Sequence, residues 1–297
     1  MRLCSLFALL LSAALPVCSF AQTDRPKLAA YESLVLPTNV AKQATFTKAP
    51  AKQGDRIDQQ LEVSLEMKST VRRGQQVVDT SDNTIGRTQH RTVLIDRVGE
   101  GKTSAARVYF SKYDRRKDTE SVKQPVVGNT YACVREADDT LTVTRADGSF
   151  ATPDEFSLVS ESMVALGRPN PMADFLDGRT LKVGETVEVP KEVGDALLSA
   201  DGTLGTVATF RLTLLEHVVD QNLARFQIEM ETAGAETTQL KLSLAGELVV
   251  ESDTCRTRAM SLSGPLAMAT TIGSYSSAET TFVSGKLNVQ MQAKYSK

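Results

Sequence analysis

The sequence predicts a mainly β fold of the α+β class: a long curved antiparallel sheet or half-barrel with one or two short helices packed on its apolar face. Three observations carry this prediction. Apolar and polar residues alternate over long runs, tight-turn dipeptides such as Asp147-Gly148 separate those runs, and one strong helix start stands near the middle of the chain. One-sided alternation is typical of antiparallel strands, because parallel strands covered on both faces read as continuous apolar stretches.

The alternating runs place every second side chain on the same face of a strand. Several runs exceed the usual strand length of about five or six residues, which indicates a strongly curved or coiled sheet. A run over 283–295 continues the pattern near the end of the chain. The residues predicted to face inward in the earlier runs are Leu61, Val63, Leu65, Met67, Phe226, Ile228, Met230, Leu240, Leu242 and Leu244.

The helix start is the segment Thr152-Pro153-Asp154-Glu155. Threonine can cap the helix, proline fits the first turn, and glutamate at the third helical position completes a capping box. Phe156, Val159 and Met163 then share the predicted inward face, and Gly167 ends the helix. A second, weaker helix is predicted over 190–199, and residues 168–171 read as an extended connector between the two.

The chain divides into three parts. Residues 1–21 have the pattern of a secretory signal peptide, with cleavage between Ala21 and Gln22, and their apolar run is shorter than the roughly 20 residues that span a bilayer. Acylation of Cys18 is the alternative, but Val17 stands where such an anchor motif needs a small residue. Residues 22–53 are predicted to be a flexible linker with at most one short element near 40–47, and residues 54–297 the β-rich domain.

Three features of this organisation have further consequences. Short sequence echoes within the domain raise the alternative of two related halves, about 54–150 and 180–297. The signal peptide implies an exported protein, periplasmic or secreted, and no later stretch is apolar enough to span a membrane. Because Cys133 and Cys255 are the cysteines left in the mature chain, we expect them to form one disulfide. Two unpaired buried thiols are the alternative.

Composition and motifs argue against catalysis. Lys and Arg total 34 and Asp and Glu 36, so there is no electrostatic case for nucleic-acid binding. His90, predicted on a wet strand face beside Arg87 and Arg91, and His217 are the two imidazoles, and neither stands in a hydrolase or metal-binding motif. The basic triplet 115–117 reads as a solvated loop. We therefore expect no catalytic residues, no metal, no cofactor and no enzyme.

The remaining feature is the apolar face, which must be covered by something. Several inward positions are methionines, which suit adaptable apolar surfaces, although ordinary core filling uses the same residues. The sequence predicts a cavity for a lipid-like or other apolar small molecule. Its lining is predicted to be Leu61, Val63, Leu65, Met67, Phe156, Val159, Met163, Phe226, Ile228, Met230, Leu240, Leu242 and Leu244.

Two other functions stay open at this point. An interaction or assembly module could bind an envelope protein through strand edges or the polar sheet face, as in β-augmentation. A hydrolase with an unrecognised site is the minor alternative.

The order of elements over residues 54–297 resembles the bacterial lipoprotein-carrier family, in which a signal peptide precedes a long curved antiparallel sheet whose concave side is plugged by helices. The resemblance implies binding of a lipid-like ligand. No motif in this sequence matches the ligand-gating residues of the family, so no residue roles carry over. In length and export signal the chain is also similar to many secreted bacterial β-proteins.

Overall fold

The computed structural model describes residues 39–99, 102–197, 206–233, 241–272 and 279–297. The strands among them are β1 (Val40–Ala41), β2 (Gln43–Thr45), β3 (Arg56–Arg73), β4 (Gln76–Gly99), β5 (Lys102–Lys117), β6 (Glu120–Lys123), β7 (Thr130–Arg135), β8 (Leu141–Arg145), β9 (Thr180–Lys182), β10 (Thr186–Glu188), β11 (Thr206–Val218), β12 (Leu223–Ala233), β13 (Lys241–Glu251), β14 (Thr257–Ile272) and β15 (Glu279–Ser296). The helices are α1 (Pro153–Ser162), α2 (Pro171–Leu176) and α3 (Lys191–Leu197), with a 3₁₀ turn at Val219–Gln221.

Thirteen of these strands form one antiparallel sheet, and β2 pairs with β9 separately. The order across the main sheet is β1-β11-β12-β13-β14-β15-β3-β4-β5-β7-β8, with β10 also beside β11 and β6 beside β5. The predicted fold, a large open antiparallel sheet with short helices, is confirmed. The last strand, β15, lies in the middle of the sheet between β14 and β3.

The strand register gives the sheet one apolar face. Residues directly opposite each other on neighbouring strands point to the same side, and apolar residues oppose apolar residues across most of the sheet. Leu214 of β11 opposes Phe226 of β12, which opposes Leu248 of β13 and then Met260 of β14. We call this side the apolar face and the opposite side the polar face.

Two separate hydrophobic cores cover parts of the apolar face. The larger core combines β11–β14 with α2, β2 and β9, and it buries Phe46 against Phe226 with ring centroids 5.6 Å apart. The smaller core packs α1 on β4, β5, β7 and β8. Its largest fully buried side chains are Tyr113, Tyr131 and Phe110. The space between α1 and the sheet is therefore filled by the chain itself.

Helix α1 begins as predicted, with Thr152 as its N-cap and the complete capping box. The prediction that Phe156 faces inward is wrong: Phe156 is 43% exposed, whereas Leu158 and Val159 are buried. The reason is that Glu155 turns into the core. It accepts hydrogen bonds from the Tyr131 hydroxyl at 2.8 Å and from Arg145 at 2.7 Å, which sets the rotation of the helix.

Two predicted non-regular segments are ordered parts of the fold. Residues 168–171 do not form an extended connector throughout, because Asn170 caps α2 and Pro171 begins it. The linker prediction is wrong for its described part, since β1 and β2 pair with β11 and β9. The short element expected near 40–47 therefore belongs to the fold. The rest of the predicted linker, the signal peptide, the Ala21–Gln22 cleavage site and Leu240 lie outside the described residues.

The predicted disulfide is wrong, since Cys133 and Cys255 are both free and buried. Cys133 belongs to the smaller core and Cys255 to the larger one, so four strands of the sheet separate them, far beyond the roughly 6 Å between Cα atoms that a disulfide allows. Burial raises the pKa of Cys133 to about 12 and that of Cys255 to about 11.

Both thiols are expected to resist iodoacetamide at pH 8 in the native protein, because the reactive species is the thiolate and burial suppresses it. In urea without reductant, mass spectrometry should find both alkylated. A chain that resists alkylation in urea until reductant is added would contradict this.

Candidate functional site

Between the two cores, the apolar face carries a band of half-buried apolar side chains. Three of them, Leu61, Val63 and Met291, belong to neither core, while the others touch the larger core from one side. We call the set the central band, and its members are Leu61, Val63, Leu65, Ile85, Met260, Leu287, Val289 and Met291. Strands β14, β15, β3 and β4 supply it in rows, for example Met260, Met291 and Leu61.

The residues predicted to line a cavity do not form one site. Leu61, Val63 and Leu65 lie in the central band, and Met67 is buried at its end in the larger core. Val159 and Met163 are packed in the smaller core. Phe156 lies on the exposed side of α1 and lines no site. Five others are buried in the larger core, namely Phe226, Ile228, Met230, Leu242 and Leu244.

Basic side chains adjoin the central band on the apolar face. Val63 of β3 lies directly opposite Arg87 of β4, and Arg87 lies opposite Arg115 of β5. Arg91 stands on the same side of β4, opposite Gln59. We call Arg87, Arg91 and Arg115 the arginine cluster. The sequence-based interpretation of 115–117 as a solvated loop is wrong, because these residues belong to β5.

Arg91 anchors the end of α1 to the sheet. Its Nε donates to Gln59 Oε1 at 2.8 Å, and its Nη1 donates to the backbone carbonyl of Ser162, the last residue of the helix. A cation is favourable there, because the helix dipole is negative at its C-terminus. Gln89, which is buried, donates to Ser162 Oγ at 2.6 Å. His90, the residue predicted on a wet strand face, lies on the opposite face of β4 and is half-buried.

The other two arginines share one carboxylate. Glu161 of α1 lies 2.9 Å from Arg115 Nη2 and 3.7 Å from Arg87 Nη1. Both guanidinium groups keep about a third of their side-chain surface exposed. Burial, together with the positive charge of Arg87, lowers the pKa of Arg91 to about 10. The cluster thus concentrates positive charge at the edge of an apolar surface.

Other parts of the described chain show fewer features of a binding site. On the polar face, an open depression of about 590 Å³ is bordered by acidic and basic residues, among them Glu66, Lys68 and Asp82, so it does not concentrate one sign of charge. His217 has Nδ1 2.9 Å from Gln43 O and Nε2 3.2 Å from Ser252 Oγ. In the described ranges, no three His, Cys, Asp or Glu side chains are grouped to hold a metal ion. No described helix is both long and apolar enough to cross a membrane.

Comparisons with known proteins add a distant structural likeness. No family model matches the sequence, and no curated protein matches it. One similar solved structure is that of lipovitellin, from work on lipid–protein interactions in that protein. Its TM-score is 0.37, its sequence identity is 7%, and the match covers 82% of this chain. The match spans 26% of the lipovitellin chain, so this chain corresponds to about a quarter of that protein's length.

Proposed function

We propose that this chain is an exported, non-catalytic protein that binds an apolar ligand on the central band. The observation that carries the proposal is the gap between the two cores, where eight neighbouring apolar side chains on one sheet face remain half-buried. Export rests on the signal-peptide pattern of residues 1–21.

A ligand on the central band would remove the remaining apolar surface of these side chains from water, a favourable transfer of about 25 cal/mol per Å². Contiguous apolar surface that stays partly accessible to water marks interaction sites more often than isolated apolar residues do. The sheet holds these side chains in register, so one wall of the binding site exists before the ligand binds. Binding therefore requires little ordering of the protein, which favours affinity.

Replacing Val63 by glutamine is expected to weaken binding of the neutral apolar fluorophore N-phenyl-1-naphthylamine by about tenfold, since a polar side chain then stands in the middle of the band. The matched control is Glu62→Gln, the neighbouring and exposed position on the opposite face of β3. Fluorescence titration measures both variants, and circular dichroism checks that both are folded. Equal affinities for Val63→Gln and wild type, or no binding by wild type, would contradict the proposal.

The assembly alternative has weaker support from the sheet edges. One edge strand, β11, is covered by the short strands β1 and β10, and the other edge is the five-residue β8. Very short edge strands are a common protection against pairing with another chain. We therefore place strand addition to a partner second to ligand binding.

A further inference from the structure

The arginine cluster and the central band lie side by side on the apolar face. This placement indicates a narrower class of ligand than an apolar molecule in general. One row across the sheet runs from Val289 on β15 through Val63 on β3 and Arg87 on β4 to Arg115 on β5. Along this row the surface changes from apolar to basic between β3 and β4. A hydrocarbon lying on β15 and β3 would have its end beside guanidinium groups. This side-by-side placement fits a molecule with an apolar part and an anionic end.

The cluster places three cations side by side on the apolar face. Arg91 donates its described hydrogen bonds to neutral acceptors on Gln59, Ser162 and Met163. Arg87 and Arg115 are directly opposite each other, an arrangement of like charges that destabilises a sheet, and they share Glu161. An anion bound here would offset that repulsion, and arginine is well suited to hold a carboxylate through paired hydrogen bonds.

The band offers an apolar area on which a hydrocarbon chain can lie. From Leu61 to Leu65 the band extends about 13 Å along the strand, and from β14 to β4 about 14 Å across the sheet. Building on the proposed function, we propose that the ligand is a single-chain fatty acid, with its hydrocarbon on the central band and its carboxylate bound by Arg87 and Arg115.

The test compares cis-parinaric acid, a fluorescent fatty acid, with its uncharged methyl ester on the full chain. Wild type is expected to bind the acid about tenfold more tightly, the lower end of what a charged hydrogen bond contributes. Arg87→Gln should remove this preference and leave ester binding unchanged, whereas Arg87→Lys should retain part of it. Glu161→Gln should strengthen acid binding, because it removes the negative charge beside Arg87 and Arg115.

The control variant is Arg211→Gln, which removes an arginine paired with exposed Glu188 at the far side of the sheet and should keep the preference. Equal affinity of wild type for acid and ester, or an unchanged preference in Arg87→Gln, would overturn the fatty-acid assignment while ester binding still supports an apolar site. If neither the ester nor N-phenyl-1-naphthylamine binds, the proposed function fails and the fatty-acid assignment fails with it. Thermal melting of each variant separates lost binding from lost folding.

Discussion

Gly264→Ala is expected to destabilise the protein by about 3 kcal/mol or more, although it adds one methyl group to a strand. A Cβ at this position of β14 would lie 1.8 Å from the carbonyl oxygen of Ser243 on β13. The obstructing atom is backbone, so it cannot move without breaking the pairing of the two strands. The energy cost is therefore much larger than the few tenths to 1 kcal/mol usual for a glycine substitution at a compatible site.

Gly264 is one of three such positions on neighbouring strands. Gly246 on β13 and Gly285 on β15 would place a Cβ 1.8 Å and 2.2 Å from the carbonyl oxygens of Ser261 and Glu66. Glycine inside strands often marks a bend or a close approach of another backbone. We infer that this diagonal of glycines is where the sheet takes its curvature.

Urea unfolding followed by circular dichroism measures the effect, with Gly99→Ala as the control. Gly99 lies at the end of β4, and a Cβ there would meet nothing within 4 Å. The control is expected to unfold close to the wild-type midpoint. A Gly264→Ala protein that unfolds at the same urea concentration as Gly99→Ala would show that the close approach has no energetic weight.

Glu155→Ala is expected to cost about 3 kcal/mol, because one side chain serves both the helix cap and the smaller core. Glu155 accepts from the Thr152 backbone N–H at 2.9 Å, as well as from Tyr131 and Arg145. Removing the carboxylate leaves the buried Tyr131 hydroxyl without its acceptor. It also removes one half of the capping box, the acceptor of the Thr152 backbone N–H, so the part of the smaller core that α1 covers should loosen first.

The same residue makes stability depend on acid pH. Burial opposes ionisation of Glu155, but hydrogen bonds from Thr152, Arg145 and Tyr131 outweigh it and lower its pKa to about 2. A carboxyl with a pKa lowered in the folded state contributes stability above its ordinary pKa of about 4.3, and this contribution is lost as the pH falls toward 2. The amount is on the order of 3 kcal/mol.

Urea midpoints measured between pH 2 and pH 7 test this dependence. Glu155→Gln should flatten the acid part of the profile, since it removes the group that titrates. Glu188→Gln, at an exposed side chain, should leave the profile as in wild type. A Glu155→Gln profile with the wild-type slope between pH 2 and pH 4.5 would show that other carboxyls cause the acid sensitivity.

Period-two alternation was sufficient to predict the sheet because each strand has one wet side, and the capping box was sufficient for α1. The alternation did not predict which polar residues enter the core. The inward face of α1 was predicted from its apolar residues, beginning at Phe156, and this criterion does not include the charged Glu155 that the core buries. The network with Tyr131 and Arg145 that makes burial of Glu155 favourable joins residues from three elements.

The short helix α2 was missed for a local reason. Asn170 precedes a proline, and this restricts it to extended backbone, which was read as a connector. Extended backbone is also what an N-cap requires, and Asn170 indeed accepts from the Ala173 N–H. A helix of six residues is too short for its periodicity to show, so the Asn-Pro pair was the available signal.

About half of the candidate site could be predicted from the sequence. Leu61, Val63 and Leu65 follow directly from alternation. Arg87 and Arg91 share the parity of Val93 and Ile95, which are buried, so their position on the apolar face could have been predicted by extending the run. The pairing of Arg115 with Arg87 could not, because an irregularity between β4 and β5 shifts the register near His90.

The location of β15 has a consequence for how the protein is made. Lys294 pairs with Asp58 across more than two hundred residues of chain, and β15 separates β14 from β3 along its whole length. Until these last residues have been synthesised, β14 and β3 each present a long unpaired edge. Such contacts between distant parts of a sequence form slowly, and open edges invite aggregation in the meantime. A folding intermediate that lacks β15 therefore has two long strand edges that can pair with other chains.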